Sequence, residues 1–247
     1  MLPTGAVAQA LSCSLPAQVE RPHPELPSAS QPQRLLPTGG YTLAVTWAPE
    51  YCHMPHNGAS DFECGQGNRF GFVLHGLWPD GVGKDWPQYC RSTPLLAPAT
   101  IRANLCSTPS AQLLQHEWAK HGTCMAGLDP DSYFRRSTGL YAKLRYPDMA
   151  ALSREQGLTV GRLAEALAAA NPGLPASAVR VTLNRLGWLD ELWLCLDRQF
   201  AYERCRPDSG GAVTTAALKI WRGGPARPRL SPGSSQPPGS DDRDGAG

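Results

Sequence analysis

Two stretches carry the reading: RFGFVLHGLWPD at residues 69–80 and SAQLLQHEWAKHGTC at residues 110–124. In the first, Phe70, Phe72 and Leu74 alternate with other residues, the period-two pattern of a strand with one buried face. The run stops at His75-Gly76. The expectation is a strand ending at or near His75, then a rigid turn over Gly76 and Pro79 that aims Trp78 outward. In the second stretch, residues 110–121 are rich in the helix formers Ala, Gln, Leu, Glu and Lys, and Gly122 is placed to end the helix. With His116 taken as zero and 100° per residue, Glu117 falls at about 100°, Lys120 at about 40° and His121 at about 140°. Trp118 and Ala119 face away, toward a core. One carboxylate, one ammonium and two imidazoles therefore share an arc. Such crowding costs stability when the cations are charged, which points to a site built for an anion. A zinc pair of the HExxH type needs histidines four apart, and these are five apart, so no metal is expected. Trp78 offers a stacking plane and Asp80 a hydrogen-bond acceptor, a combination suited to a nucleobase.

YTLAVTWAP from residue 41 alternates as a strand, and a short helix is expected near 96–104. Residues 131–146 read as a helix closed by Pro147, and residues 160–170 as another, with Thr159 as N-cap and Asn171-Pro172-Gly173 as the stop. VRVTL at 179–183, LDELWLCLD at 189–197 and FAYERC at 200–205 read as strands, the last two as a hairpin. Strands and helices do not alternate regularly, which favours an α+β fold.

The chain has 247 residues, with 23 basic against 21 acidic side chains and a net charge of +2. No broad basic field exists, so any nucleic-acid binding must come from a local site. No apolar run is long enough for a membrane-spanning helix. Glycine (25) and proline (24) concentrate at the two ends. Residues 1–38, a truncated signal or linker with AVAQA at 6–10, and the tail 223–247 are expected to be disordered or loosely attached. Residues 39–222 then form one domain. The eight cysteines at 13, 52, 64, 90, 106, 124, 195 and 205 show no C-x2-C pair, which fits disulfides and an oxidising compartment. Seven lie in the folded part, so one stays free or pairs with Cys13.

Together, HGLWPD at 75–80 and HEWAKHGTC at 116–124 resemble the two active-site segments of the T2-type ribonucleases. YTLAVTWAPEYC at 41–52, DPDSYFRRSTGLYAKL at 129–144 and LWLCLDRQFAYERC at 192–205 are also similar to segments of that family. The resemblance covers about 40–207 and implies the T2 fold, a central antiparallel sheet with packed helices. It implies an endoribonuclease that cleaves single-stranded RNA without metal or cofactor, through a 2′,3′-cyclic phosphate. DNA, lacking the 2′-OH, would not be cleaved. A secreted or periplasmic monomer is expected. By the family's pattern His121 is the base and His75 the acid, Glu117 and Lys120 stabilise the transition state, and His116 holds the phosphate. Trp78 and Asp80 match the base pocket, and Trp86 its opposite stacking face. Many relatives carry an aromatic just before the second segment, where this chain has Leu113-Leu114-Gln115. The implied disulfides are Cys52–Cys64, Cys90–Cys124 and Cys195–Cys205, leaving Cys106 to pair with Cys13 or stay free. Two other classes compete. A non-catalytic RNA-binding or signalling member of the fold should have lost one of the two histidines. A phosphodiesterase would act on small nucleotides or DNA.

Overall fold

The alternating stretch that begins at Tyr41 becomes the central strand of the computed structural model, which describes residues 10–53, 61–65 and 67–223. The elements run β1 (Ala10–Ser12), β2 (Thr38–Trp47), α1 (Ala48–His53), α2 (Asp61–Cys64), β3 (Arg69–Phe70), β4 (Phe72–Gly81), α3 (Pro98–Asn104), α4 (Ala111–Lys120), α5 (Pro130–Tyr141), α6 (Met149–Leu152), α7 (Val160–Ala170), β5 (Val179–Leu183) and β6 (Leu189–Leu196). β4, β2, β6 and β5 form, in that spatial order, a four-stranded antiparallel sheet, and β1 pairs with β3. The α+β architecture is the one expected.

Period-two patterning divides the sheet into two faces. Leu43, Val45 and Trp47 of β2, Phe72, Leu74 and Leu77 of β4, and Leu192 and Leu194 of β6 join one core with Tyr133 and Phe134 of α5 and Leu163 and Leu167 of α7. The opposite face carries Thr42, Thr46, Glu191 and Trp193, and the functional groups gather there. α4 packs against the β4 edge, with Leu114 and Trp118 turned into the core. Ser110 caps it by accepting from Leu113 N. The free edge of β4 is covered. Leu74 N donates to Ser107 O, Thr108 Oγ1 donates to Leu74 O, and the Tyr141 and Tyr133 hydroxyls donate to Phe72 O and Leu77 O.

Several expectations are corrected. The strand does not stop at His75; it runs to Gly81, with no turn over Gly76–Pro79, and an edge strand tolerates Pro79. Ala44 pairs with Gly76 and Val45 with Leu74, so His75 is the extra residue of a β-bulge. The end of α4 does fall where Gly122 was expected to place it, with Lys120 the last helical residue and His121 the cap. The chain passes straight into a 3-10 turn, Gly122–Cys124, and a Cβ at Gly122 would strike the Trp118 ring and lie 3.0 Å from Tyr133 Cγ. α5 ends at Tyr141, well before Pro147. Asn171 accepts from Arg145 N and donates to Arg145 O, which holds that segment out of the helix. Residues 200–205 form no strand. Asp197 Oδ1 accepts from Gln199 N and Ala201 N, Phe200 turns left-handed at φ 64°, and one bridge, Leu196 to Tyr202, is all the pairing that follows.

The largest correction concerns the proline-rich N-terminal segment. From Ala10 it is tied down as a strap, by pairing with β3, by a Cys13–Cys106 disulfide and by hydrogen bonds to α4 and to residues 86–90. The three implied disulfides, Cys52–Cys64, Cys90–Cys124 and Cys195–Cys205, are all present, so no cysteine is free. Residues 206–223 continue as a second wrap, with Ala212 N on Val181 O, Leu218 N on Leu158 O and Leu189 N on Lys219 O. Most of AVAQA at 6–10 and nearly all of the 223–247 tail lie outside the described residues.

Cys13 and Cys106 are 93 residues apart, and closing a loop of that length contributes about 4–5 kcal/mol in the chain-entropy account. Replacing both with alanine should lower the melting temperature and open residues 14–37 to limited proteolysis, while fragments of the remaining chain persist. An unchanged digestion pattern, read by mass spectrometry, would show that the strap's other contacts suffice.

Candidate active site

His75 and Trp78 are three residues apart, so a regular strand would send them to opposite faces. The bulge at His75 shifts the alternation by one, and both rings reach the polar face, perpendicular to each other with centroids 5.0 Å apart. α4 supplies the rest. Gly76 leaves a gap in β4, and Glu117 fills it: a Cβ on residue 76 would fall inside the Glu117 carboxyl group and 2.8 Å from Trp78 Nε1. Trp78 Nε1 donates to Glu117 Oε2 at 2.8 Å, and Glu117 Oε1 faces His75 Nε2 at 3.5 Å.

The two histidines sit in opposed environments. His75 Nδ1 lies 2.5 Å from Glu191 Oε1. Glu191 is itself pinned, since Thr46 Oγ1 donates to Oε1 at 2.8 Å and Trp193 Nε1 donates to Oε2 at 2.7 Å. Burial works to lower the His75 pKa, but the Glu191 hydrogen bond and the charges of Glu117 and Glu191 outweigh it and raise it to about 9. Burial works to raise Glu191, yet its bonds to His75, Trp193 and Thr46 hold it below the usual carboxylate range. The pair is therefore ionic at neutral pH.

His121 follows the last residue of α4 and is 5% exposed. Its ring stacks against Trp78 at 5.5 Å, and its Nδ1 has no hydrogen-bond partner among the described residues. Burial first, then the charges of Lys120, His116 and His75, hold its pKa well below the usual imidazole value. His121 is thus neutral where His75 is charged. Burial raises Glu117 to about 7 against the opposing pull of His75, Trp78 and Lys120. Lys120 is lowered by burial and by Arg34, against the pull of Glu117 and Glu25. His116 is lowered by burial and Lys120, and its Nδ1 stands 3.4 Å from Glu25 of the strap.

Sequence spacing argued against shared metal ligation, but the fold brings the donors together. His121 leaves the helix with φ −108° and ψ −50°, and His116, Glu117 and His121 each offer an atom within 4.8 Å of the others. Two imidazoles and a carboxylate suit a divalent cation chemically.

Asp80 accepts from Thr42 Oγ1 at 2.8 Å. Trp86 is 43% exposed, and no ring contact joins it to Trp78 among the described residues. The Arg34 guanidinium covers it instead, 4.5 Å from the ring centroid. Leu114 belongs to the core and Gln115 accepts from Leu96 N, so these positions support the fold. The sequence reading missed Glu191, Thr46 and Trp193 on the sheet, and Glu25 and Arg34 on the strap. The alternation of Glu191 and Trp193 with core Leu192 and Leu194 marked a polar face; the pairing of Thr46 with Glu191 left no trace in the sequence.

Comparisons with known proteins agree on one family. The model of the ribonuclease T2 family matches residues 38–205. A probable ribonuclease of Haemophilus influenzae is 30% identical over 184 residues, 69% of this chain and 62% of that protein, so the chain spans less than two thirds of that relative. A ribonuclease of Aeromonas hydrophila is 30% identical over 164 residues, 64% of this chain and 72% of that protein. Among solved structures, trichomaglin, described as an S-like ribonuclease, superposes with a TM-score of 0.57 at 19% identity over 74% of this chain and 98% of its own. The SF11-RNase associated with self-incompatibility in Nicotiana alata gives 0.54 at 18% identity over 75% and 100%. At these identities the structures speak for the fold.

Gly76→Ala tests the central contact. The added methyl must displace the buried Glu117 carboxyl, so the melting temperature should fall by several degrees, about 1–3 kcal/mol of destabilisation. A variant as stable as the parent would show that Glu117 is not seated against residue 76.

Proposed function

Because this chain belongs to the ribonuclease T2 family, we propose that it is an endoribonuclease that cleaves single-stranded RNA by transphosphorylation through a 2′,3′-cyclic phosphate. The observation that carries the mechanism is the contrast between two histidines bordering one carboxylate: His75 is bonded to Glu191, and His121 is buried with no partner for Nδ1 among the described residues. The reaction needs a base for the 2′-OH proton and an acid for the departing 5′-oxygen. Neutral His121 takes the first role. His75, kept protonated by Glu191, takes the second. As the 2′-oxygen attacks phosphorus, its proton passes to His121, the bond to the 5′-oxygen breaks, and His75 gives that oxygen a proton. Hydrolysis of the cyclic phosphate then runs the two roles in reverse. Negative charge grows on the phosphorane oxygens, where Lys120 and His116 offer donors and Glu117, titrating near neutrality, offers a proton-bearing partner. Trp78 and Asp80 stand as base-contacting groups and Trp86 as a more distant aromatic surface.

All of these groups come from one chain and already supply acid, base and cation, which supports a monomeric enzyme working without metal or cofactor. With donors for a divalent cation present at His116, Glu117 and His121, the assay must include a chelator. Four disulfides support a secreted or periplasmic location, and no described helix is long and apolar enough to cross a membrane.

In EDTA the protein should cleave polyuridylate and leave polydeoxyuridylate intact. Loss of cleavage in EDTA would overturn the metal-free mechanism, and binding of polyuridylate without cleavage under any condition would identify a non-catalytic member of the fold. His75→Phe and His121→Phe should each lower kcat by at least two orders of magnitude with the fold retained; near-normal turnover in either would refute the assignment.

The pH dependence follows from the signs. His75 acts protonated, so activity falls as pH rises through its pKa of about 9, and the alkaline limb of kcat/KM belongs to it. His121 acts unprotonated and sets an acid limb below the usual imidazole value. Glu191→Gln removes the charge that raises His75, so the alkaline limb should move to lower pH. An unmoved limb would separate Glu191 from the acid.

A further inference from the structure

The strap crosses the site outside the 38–205 family match, and it brings charge with it. Gln112 of α4 donates to Glu25 Oε1 at 2.8 Å and accepts from His23 N at 2.7 Å, which sets the Glu25 carboxylate 3.4 Å from His116 Nδ1. Nine residues on, Arg34 exchanges two backbone hydrogen bonds with Gln88, and its Nε donates to Trp86 O at 2.9 Å. Gln33 Nε2 reaches Tyr89 O at 2.9 Å, and Tyr89 N in turn donates to Lys120 O at 2.8 Å. Arg34 is thereby fixed on the segment that adjoins the end of α4, close enough that its charge acts on Lys120. Its Nη2 is buried and has no hydrogen-bond partner among the described residues. Three groups able to carry positive charge, His116, Lys120 and Arg34, thus lie along the end of α4 and the segment beside it, and the strap adds the Glu25 carboxylate there.

The geometry points to an RNA-phosphate subsite built by the strap, in which Arg34, beside Lys120 and His116, holds the phosphate neighbouring the scissile one, and Glu25 is the internal anion that RNA displaces. This rests on the RNA-cleaving reading of the same site. In that reading His75, Glu117 and His121 border the scissile position, and Arg34 lies on the segment next to Lys120, stacked on Trp86, with a buried Nη2 that lacks the acceptor a phosphate oxygen would supply. Stacking fixes the plane of the guanidinium in advance and leaves less entropy to lose on binding. Glu25 holds an imidazole that a phosphate oxygen would otherwise engage. RNA binding exchanges one anion for another, and the strap need not leave its disulfide anchor.

The test uses the full chain and a short 2′-O-methyl oligouridylate, which cannot be cleaved, with binding followed by fluorescence anisotropy across a salt series. Arg34→Ala should weaken binding several-fold and flatten the slope of log affinity against log salt by about 0.7, the loss of one phosphate contact on a single strand. Arg34→Lys should keep most of that slope, because the charge remains. Glu25→Gln should tighten binding, because the competing carboxylate is gone. An unchanged slope in Arg34→Ala overturns the subsite, as do equal losses in Arg34→Ala and Arg34→Lys, which would mean that Arg34 only shapes the strap. Unchanged or weaker binding by Glu25→Gln overturns the displacement. A parent protein that binds the probe yet leaves polyuridylate intact would refute the nuclease reading and leave the subsite standing.

Discussion

A carboxylate with 1% exposure, Glu117, fills the space left by the missing side chain of Gly76, and the site is arranged around that contact. Burying an ionisable carboxyl is unfavourable unless its oxygens find partners. Trp78 Nε1 satisfies one oxygen and His75 faces the other. Oε1 has no hydrogen bond among the described residues, so its contact with His75 is electrostatic; seating the carboxyl there demands one relative placement of α4 and β4, because it reaches the strand only at residue 76. The indole N–H is committed to Glu117, so the Trp78 plane is fixed between the imidazoles of His75 and His121. Cys90–Cys124 and the bond from Tyr89 N to Lys120 O hold the far end of α4. The position of each histidine is thus a consequence of where one carboxylate can be buried.

The same residue type does two jobs because the surroundings differ. His75 has a carboxylate on each nitrogen, and negative charge holds its proton. His121 has cations around it and no acceptor for Nδ1 among the described residues, and burial leaves it neutral. The proposed transphosphorylation would begin from that asymmetric state, one imidazole charged and one not. Two histidines in equivalent environments would spend much of their time in the wrong pair of protonation states near neutral pH. In the proposed mechanism Glu191 is as much a part of the acid as the imidazole it touches, although it lies 116 residues away in the chain.

What the sequence disclosed followed from local rules, and what it hid depended on pairing. α4 was legible because its helix formers and apolar positions Leu114 and Trp118 define a face, and the ionisable residues then fall opposite. The strand before His75 was legible from its alternation. The bulge was not, because the extra residue exists only relative to the register against β2, and that register is a property of two strands. Without the bulge, His75 and Trp78 would face apart. Glu191 was hidden for the same reason. The strap misled through composition. Proline removes N–H donors and suggests a chain with nothing to bury, yet Gln31, Gln33 and Arg34 carry side-chain groups that find partners in residues 86–90, and Cys13 anchors the start. A segment poor in apolar residues can be ordered by polar contacts to a preformed surface once a covalent tie has reduced the entropy to be lost.

A nearly neutral protein that handles a polyanion needs its positive charge in one place. With a net charge of +2, no long-range field would gather the RNA proposed as substrate, so affinity would have to come from short contacts at the site. Concentrating His116, Lys120 and Arg34 achieves that and stores repulsion in the free protein. Burial relieves part of it by lowering His116 and Lys120 toward their neutral forms. Glu25 relieves part of the remainder by pairing with His116. A carboxylate on the strap is better suited to this than one on α4. Held by one hydrogen bond from Gln112 and one imidazole, it can yield to a phosphate without disturbing the buried Glu117 on which the geometry depends. The two carboxylates therefore divide the work. One is buried and fixed and shapes the site; the other is partly exposed and replaceable and keeps the site's charge balanced until substrate arrives.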